Sequence, residues 1–522
     1  MPDLVTLLAK GYFPEELPPP FRTDIYAKAI LDNIHGLPNT FTDRQLTAKI
    51  ASHSVARVDI LRRPIGIPNP ILFFNLCKDI VVNWGTLASH YAHSKISGSS
   101  PIDDLRSERA IWWAKDFKEH IPMRARIRAT NKWILKTDIS KFYPSIYTHS
   151  IPWALHGKQF SKNNTGVNYL GNSLDKWIRN GQDRQTIGVP IGPDTSLVVA
   201  ETILSAVDIE LQKRIPKLRG LRIVDDYEFG CKTYAEAEET LAILQENLKE
   251  YELDVNFEKT KIIKLPLSFE PSWISELRHY EIRDKPTTQH NDLVQYFSRV
   301  FELSKEYSRD SVLKYAIRRL RNVKILNADN WGVLESFLLQ CAMIESGVVQ
   351  SVLEILIDHN PNNYPLSLLL IGEVLNHIIV NASPLGYTNE TAWSLWGLIF
   401  WKLQLEVQAS DVLSKSNDTV IALLALDALK RGLIPSGMNL TLWESFMTQN
   451  DLYEKQWLLS YEANKKGWLP SFGGSTDHVM ADTNFGFLKM NDVYFYDEQK
   501  FKSAKVLRDF PSALLSLIDV TP

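Results

Sequence analysis

The sequence predicts a chain of two unlike halves: an α+β region over residues 1–265 and an all-α, helical-repeat (HEAT-like) region over 266–522. Three observations predict it. Before residue 265, short apolar runs alternate with amphipathic helical segments, the pattern of a sheet covered by helices. From 290 to 465, Leu, Ile, Trp and Ala recur at helical spacing with short polar joints. At 522 residues, the chain also exceeds what one ordinary core organises.

The elements follow in order. Pro18, Pro19 and Pro20 end a short N-terminal segment, and SGSSP (97–101) reads as a loop. Arg124, Arg126 and Arg128 alternate in MRARIRATNKW, which predicts a strand with all three on one face. Further strands are expected at 133–139 (WILKTDI), 221–229 (LRIVDDYEF) and 255–265, the last interrupted by EKTK. A helix is expected at 197–211 and another at 234–251, where Ala235, Leu241, Leu244 and Leu248 recur on one face. Segments 352–357, 366–380, 391–405 and 419–431 read as successive helices without a strict repeat, which suits an α-solenoid. The run FGFLKMNDVYFYDE (485–498) predicts a small closing β element.

Composition excludes several classes. Hydrophobic residues make up 44% and charged residues 23%, which is ordinary for a globular protein. Every apolar stretch of membrane-spanning length carries charge, so no membrane span is expected. The N-terminus lacks the basic start and small-residue cleavage site of a secretory leader. Cys77, Cys231 and Cys341 are far apart and odd in number, which argues against a disulfide framework or a zinc site and for a reducing cytoplasm. Net charge is −3, yet residues 1–220 carry 29 Lys+Arg against 20 Asp+Glu. A basic first part suits a polyanionic ligand.

Chemistry centres on three acids. Asp225 and Asp226 sit together inside an apolar run. In a plain strand they would point to opposite faces; at a hairpin tip both reach one cleft. Burying unpaired carboxylates costs on the order of several kcal/mol, and a divalent metal is one compensation. Upstream, KTDISKFYPSI places Asp138 at the end of another apolar strand. Between them lies GVPIGPDTS (188–196), a Gly/Pro loop running into a helix, and downstream comes NFEKTK (256–261).

This order resembles the palm of reverse transcriptases. LRRPIGIPNPI (61–71) is similar to the first fingers motif of retron and group II intron enzymes. The stretches GVPIGPDTS…AETILSAVD and FYPSIYTHSIPWALHGK resemble the abortive-infection branch, the phage-defence reverse transcriptases. The resemblance implies metal binding by Asp138 and Asp225, with Asp226 as the third acid and the Ile139 carbonyl as an added ligand. It implies a steric gate against ribose at Tyr143, five residues after Asp138. Gly188, Pro190, Gly192 and Ser196 match the loop shaping the nucleotide pocket, and Lys259 matches the proton donor to pyrophosphate. Arginine forks suit triphosphate oxygens, so Arg124, Arg126, Arg128 and Arg63, with Arg62 as a rival, are nucleotide-binding candidates. Two departures stand out: Ile191 where templated enzymes carry Gln, and Ile223 where the acid tetrad begins with an aromatic. No thumb is recognisable after Leu265.

The implied activity is two-metal addition of dNTPs with Mg2+ or Mn2+. The branch further implies template-independent synthesis from a protein hydroxyl, single-stranded DNA left covalently on protein, and homo-oligomeric rings such as trimers or hexamers. Two alternatives stay open: a conventional templated reverse transcriptase with an RNA partner, and a helical interaction protein with an inactive palm. Nineteen tyrosines offer no basis for choosing a primer.

Overall fold

The computed structural model describes residues 2–500 apart from 58–60, 104–108, 116, 359, 361–363, 435, 436 and 475. Residues 501–522 of the predicted helical half therefore lie outside the described residues.

Among the described residues, three antiparallel sheets form in the first half. Strands β1 (Ala51–Ala56) and β2 (Arg62–Ile67) make a hairpin, as do β3 (Pro101–Asp103) and β4 (Ile111–Trp113). The third sheet joins β5 (Trp133–Thr137), β6 (Gly220–Ile223), β7 (Asp226–Cys231) and β8 (Lys261–Lys264) in the order β6-β7-β5-β8. Alternation along these strands sorts two faces. Leu135, Tyr227 and Phe229 enter the main core, under the helices Asp194–Arg214 and Tyr234–Lys249. Ile134 and Leu221 enter a smaller cluster with Ile127 of the helix Phe117–Ala129.

Three expectations need correction. The single strand at 221–229 is a hairpin, because Ile223 pairs with Asp226 and the chain turns at Val224-Asp225. The arginine strand is instead the helix Phe117–Ala129. Its Ala, Met and Arg content favours helix, and alternation in a short run cannot by itself exclude it. The closing β element begins instead as the helix Thr483–Met490, whose N-terminus Asp482 caps through Asn484 N and Phe485 N, and continues as turns. Among the described residues of this run, only Tyr496 makes a bridge, to Phe21.

The second half is the expected series of helices. They include Val349–Asp358, Leu368–Ala382, Thr388–Trp401 and Thr419–Lys430, close to the four expected segments. Successive helices pack in two rows, with Ala328–Ile344 against Leu368–Ala382 in one and Val349–Asp358, Thr388–Trp401 and Thr419–Lys430 in the other. Leu368–Leu385 is long and apolar enough to cross a membrane by composition. It lies within the first row, with Ile371, Leu375, Ile378 and Ile379 buried there. A single apolar cluster runs from Leu7 to Tyr496, so both halves share one core.

Glu462 is buried in that core, where Phe495 N donates to its Oε2 at 2.9 Å. Burial pushes its carboxyl up to about 7, against a pull downward from Lys466. A raised carboxyl contributes stability that is complete below its unfolded value and is lost as pH rises through the folded one. Glu462→Gln should therefore match wild type near pH 4 and melt several degrees higher at pH 8, a gain of on the order of 3 kcal/mol at most. Thermal melts across that range check it; a difference independent of pH would sink the assignment.

Candidate active site

The β6–β7 turn is strained. Val224 adopts φ 52°, a left-handed conformation that a β-branched residue rarely takes. Such strain costs on the order of 1–3 kcal/mol and persists only where surroundings enforce it. Here Ser99 Oγ accepts from Val224 N at 2.7 Å, and Arg222 donates to the Val224 carbonyl at 3.0 Å. Arg222 is itself sealed between Glu201 and Asp208, at 2.7 Å from each, and all three side chains are 0% exposed. Ser97 and Ser99 donate to Glu201, and Ser94 to Asp208. A buried ion cluster between β6 and the helix Asp194–Arg214 thus props the turn that carries Asp225.

Asp138 follows directly on β5. The Ile139–Val255 bridge fixes its backbone, with Asn256 N donating to the Asp138 carbonyl at 2.8 Å. Ile139 itself is buried in the core. Lys259 donates to Asp138 Oδ2 at 2.5 Å, while Asp138 Oδ1 is sealed and has no hydrogen-bond partner among the described residues.

Burial raises the carboxyl of Asp138, and Lys259 and Arg57 pull it back. Burial raises Asp225 too, with repulsion from Asp138 adding to it, while Lys259 and Arg63 act downward. Asp226 is raised by burial, then by Asp225 and Asp138. The three acids therefore share one field, in which they repel one another while Lys259, Arg57, Arg63 and Arg124 offset them. Among the described residues, no group of three or more His, Cys, Asp or Glu is arranged to hold a metal ion. The donor chemistry nevertheless fits a divalent cation: hard oxygen ligands, one sealed oxygen without a donor, and mutual repulsion that a cation would relieve.

The other candidates divide. Tyr143 is half-buried beside this site: burial raises its hydroxyl, and the Asp225 charge adds to that. Its carbonyl accepts from Val189 N at 2.9 Å, tying it to the glycine loop. Gly192, at φ 120°, faces Pro14, and a Cβ there would lie 2.6 Å from that ring. The Ser196 hydroxyl donates to the Pro190 carbonyl. Both residues shape the loop from within. Arg109 fastens the same loop, donating to the Gly192 carbonyl and pairing with Asp194.

Helical geometry separates the three arginines. Arg124 and Arg128, four apart, share a face. Arg128 forks onto Glu228 at 2.8 and 3.1 Å, and Arg124 Nε lies 3.4 Å from the same carboxylate. Glu228 stands two residues along β7 from Asp226 and so on its face. The charge of Arg124 also draws Asp226 downward. Arg126 points elsewhere, lining a pocket with Lys95 and Arg219. Arg62 is tied to Glu390, at 2.5 and 2.7 Å, leaving Arg63 as the fingers cation acting on Asp225.

Sequence reasoning missed Arg222, Glu201, Asp208, Ser99, Arg57 and Glu228. One signal was available: Arg222 and Glu228 are charged residues within the strand-like run of the acids.

Residues 91–288 match the family model described as reverse transcriptase (RNA-dependent DNA polymerase). That span contains all three acids, Tyr143, the glycine loop and Lys259, so the chain contains a reverse-transcriptase-like domain. No curated protein matches the chain. Among solved structures, it is similar to telomerase from Candida albicans in complex with a TWJ fragment of telomeric RNA. The identity is 12%, the TM-score 0.29, and the match covers 70% of this chain and 68% of that one. A likeness at that level carries no functional argument.

Proposed function

We propose that the chain is a DNA polymerase of reverse-transcriptase type that adds dNTPs without a template. It begins from a protein hydroxyl and leaves single-stranded DNA covalently on protein. The observation that carries nucleotidyl transfer is the acid set, in which a sealed Asp138 oxygen shares one electrostatic site with Asp225 and Asp226. The resemblance to abortive-infection enzymes carries the protein priming, the antiphage role and a ring-forming homo-oligomer. Ile191 supports the absence of a template: where templated relatives carry Gln, this apolar residue packs against the core and its carbonyl accepts from Gly66 N at 2.8 Å.

Asp138 and Asp225, with Asp226 and the Ile139 carbonyl as further ligands, would hold two Mg2+ or Mn2+ ions. Such ions, when bound, activate the attacking hydroxyl and neutralise charge on the leaving pyrophosphate. Arg63 and Arg124 act on the acids from two sides and suit the triphosphate oxygens. Arg128 is committed to Glu228 and supports Arg124. Lys259 carries a proton that departing pyrophosphate can accept.

Tyr143 would exclude the ribose 2′-hydroxyl by its bulk. Tyr143→Val should raise incorporation of rNTPs relative to dNTPs by about tenfold or more. Paired single-nucleotide addition assays measure this, and an unchanged ratio would remove Tyr143 from the gate.

The central experiment incubates the purified chain with Mg2+ and labelled dNTPs and no template, then resolves the product on a denaturing gel with and without protease. Label that travels with protein until proteolysis is the expected result. Free product that appears only with added template and primer would instead support the templated reading, which the family description favours. No incorporation would leave the helical interaction protein.

A further inference from the structure

Arg62 and Arg63 are neighbours on β2, so they point to opposite faces of the hairpin. By alternation Arg63 lies on the other face of the hairpin, the side on which the polymerase reading above puts the nucleotide. Arg62 faces the helical half, where its guanidinium forks onto Glu390 at 2.5 and 2.7 Å and lies 4.3 Å over the Tyr387 ring. The same guanidinium reaches back to β1, donating to the Ser54 carbonyl at 2.8 Å and the Ser54 hydroxyl at 3.0 Å. Glu390 is 1% exposed, so this is a built contact in a dry setting.

Three more contacts fasten the hairpin to the helical half, and a fourth holds the chain just beyond β2. Ser54 N donates to Thr388 Oγ1 at 2.7 Å. His53 Nδ1 lies 2.8 Å from Asp418 Oδ2, with the His side chain 0% exposed. Trp457 Nε1 donates to the Ile67 carbonyl at 3.1 Å, and Asn69 donates to the Leu452 carbonyl at 3.0 Å. The hairpin and the chain leaving it are thus held by four segments of the second half.

We propose that the helical half is the fixed backing of the fingers hairpin, and that Glu390 is a positioning residue that sets Arg63 against the nucleotide by holding Arg62. The assignment of Arg63 to the nucleotide rests on the polymerase reading above. The mechanical part does not. A hairpin of two strands is marginal alone in water, so its cations keep their place only while the backing holds them. The helical half then contributes to nucleotide affinity without touching the nucleotide.

Two measurements test this. In hydrogen exchange without nucleotide, Glu390→Gln should speed exchange of the β1 and β2 amides at least about tenfold while β5 and β7 stay unchanged. Thr388→Val, a milder change that keeps the ion pair, should do the same to a smaller degree, and guards against a Glu390→Gln protein that fails to fold. Unchanged hairpin exchange in both variants would overturn the proposal. In nucleotide addition, Glu390→Gln should raise the dNTP KM about tenfold with kcat within about twofold, and Glu390→Asp should recover part of the loss. A fall in kcat at constant KM would overturn the positioning role. A wild-type chain that adds no nucleotide would overturn the polymerase reading alone, and hydrogen exchange would still decide the backing.

Discussion

Asp225→Asn should abolish nucleotide addition while leaving the protein folded, and should raise its thermal stability. The two effects share a cause. Asp225 sits on a strained turn, and burial and Asp138 both oppose its charge. A carboxyl raised in the folded state costs stability above its ordinary range, so the neutral amide relieves that cost at pH 8. The same charge is what a metal-assisted phosphoryl transfer would use. Losing several kcal/mol of transition-state charge stabilisation corresponds to on the order of 10^3-fold or more in rate. Labelled dNTP addition and a thermal melt on the same preparation measure both. Activity within about tenfold of wild type would place the chemistry elsewhere; lost activity together with a lower melting temperature would mean that the turn had collapsed.

Arg222→Met should produce the largest loss of stability. Arg222, Glu201 and Asp208 are all fully buried, and one guanidinium serves two carboxylates. Burial alone would raise Asp208, and Arg222 is the main group holding it down. Removing the cation leaves both acids without charge compensation in a dry core, at a cost of about 3–5 kcal/mol. That is a large share of the roughly 5–15 kcal/mol that holds a typical protein together. Arg222 also donates to the carbonyl of strained Val224, so the acid-bearing turn loses support. Low soluble yield, or a denaturation midpoint well below wild type, is the expected outcome. Arg222→Lys, which keeps the charge but not the fork, should fall between. Replacing all three residues with apolar ones of similar size should recover much of the stability, as buried ion clusters commonly allow. A Met variant as stable as wild type would show that the cluster is not what holds the palm.

Much of the candidate site was legible because it is local. Asp138 and the Asp225-Asp226 pair each end or interrupt an apolar run, and the glycine loop lies between them in the chain. The helical segments were legible because apolar periodicity survives any packing. The arginines were misread because residues 124–128 carry both alternation and helix-favouring composition, and five residues cannot separate periods of 2 and 3.6. The closing β element failed for a similar reason: FGFLKM is apolar enough for a strand, and the capping Asp482 precedes the run that was read.

The sequence by itself determined the division into a sheet-bearing half and a helical half, the order of the motifs and the identity of the three acids. Those properties depend on residue type and on neighbours a few positions away. Tertiary structure alone decided which charges meet. Arg222 finds Glu201 and Asp208, Lys259 finds Asp138, and Arg62 is taken out of the site by Glu390, 328 residues away. Such pairs leave no periodic trace, because burial selects partners by distance in space. For the same reason, the electrostatic character of the acids, and the tie between the fingers hairpin and the helical half, become visible only once the chain has folded.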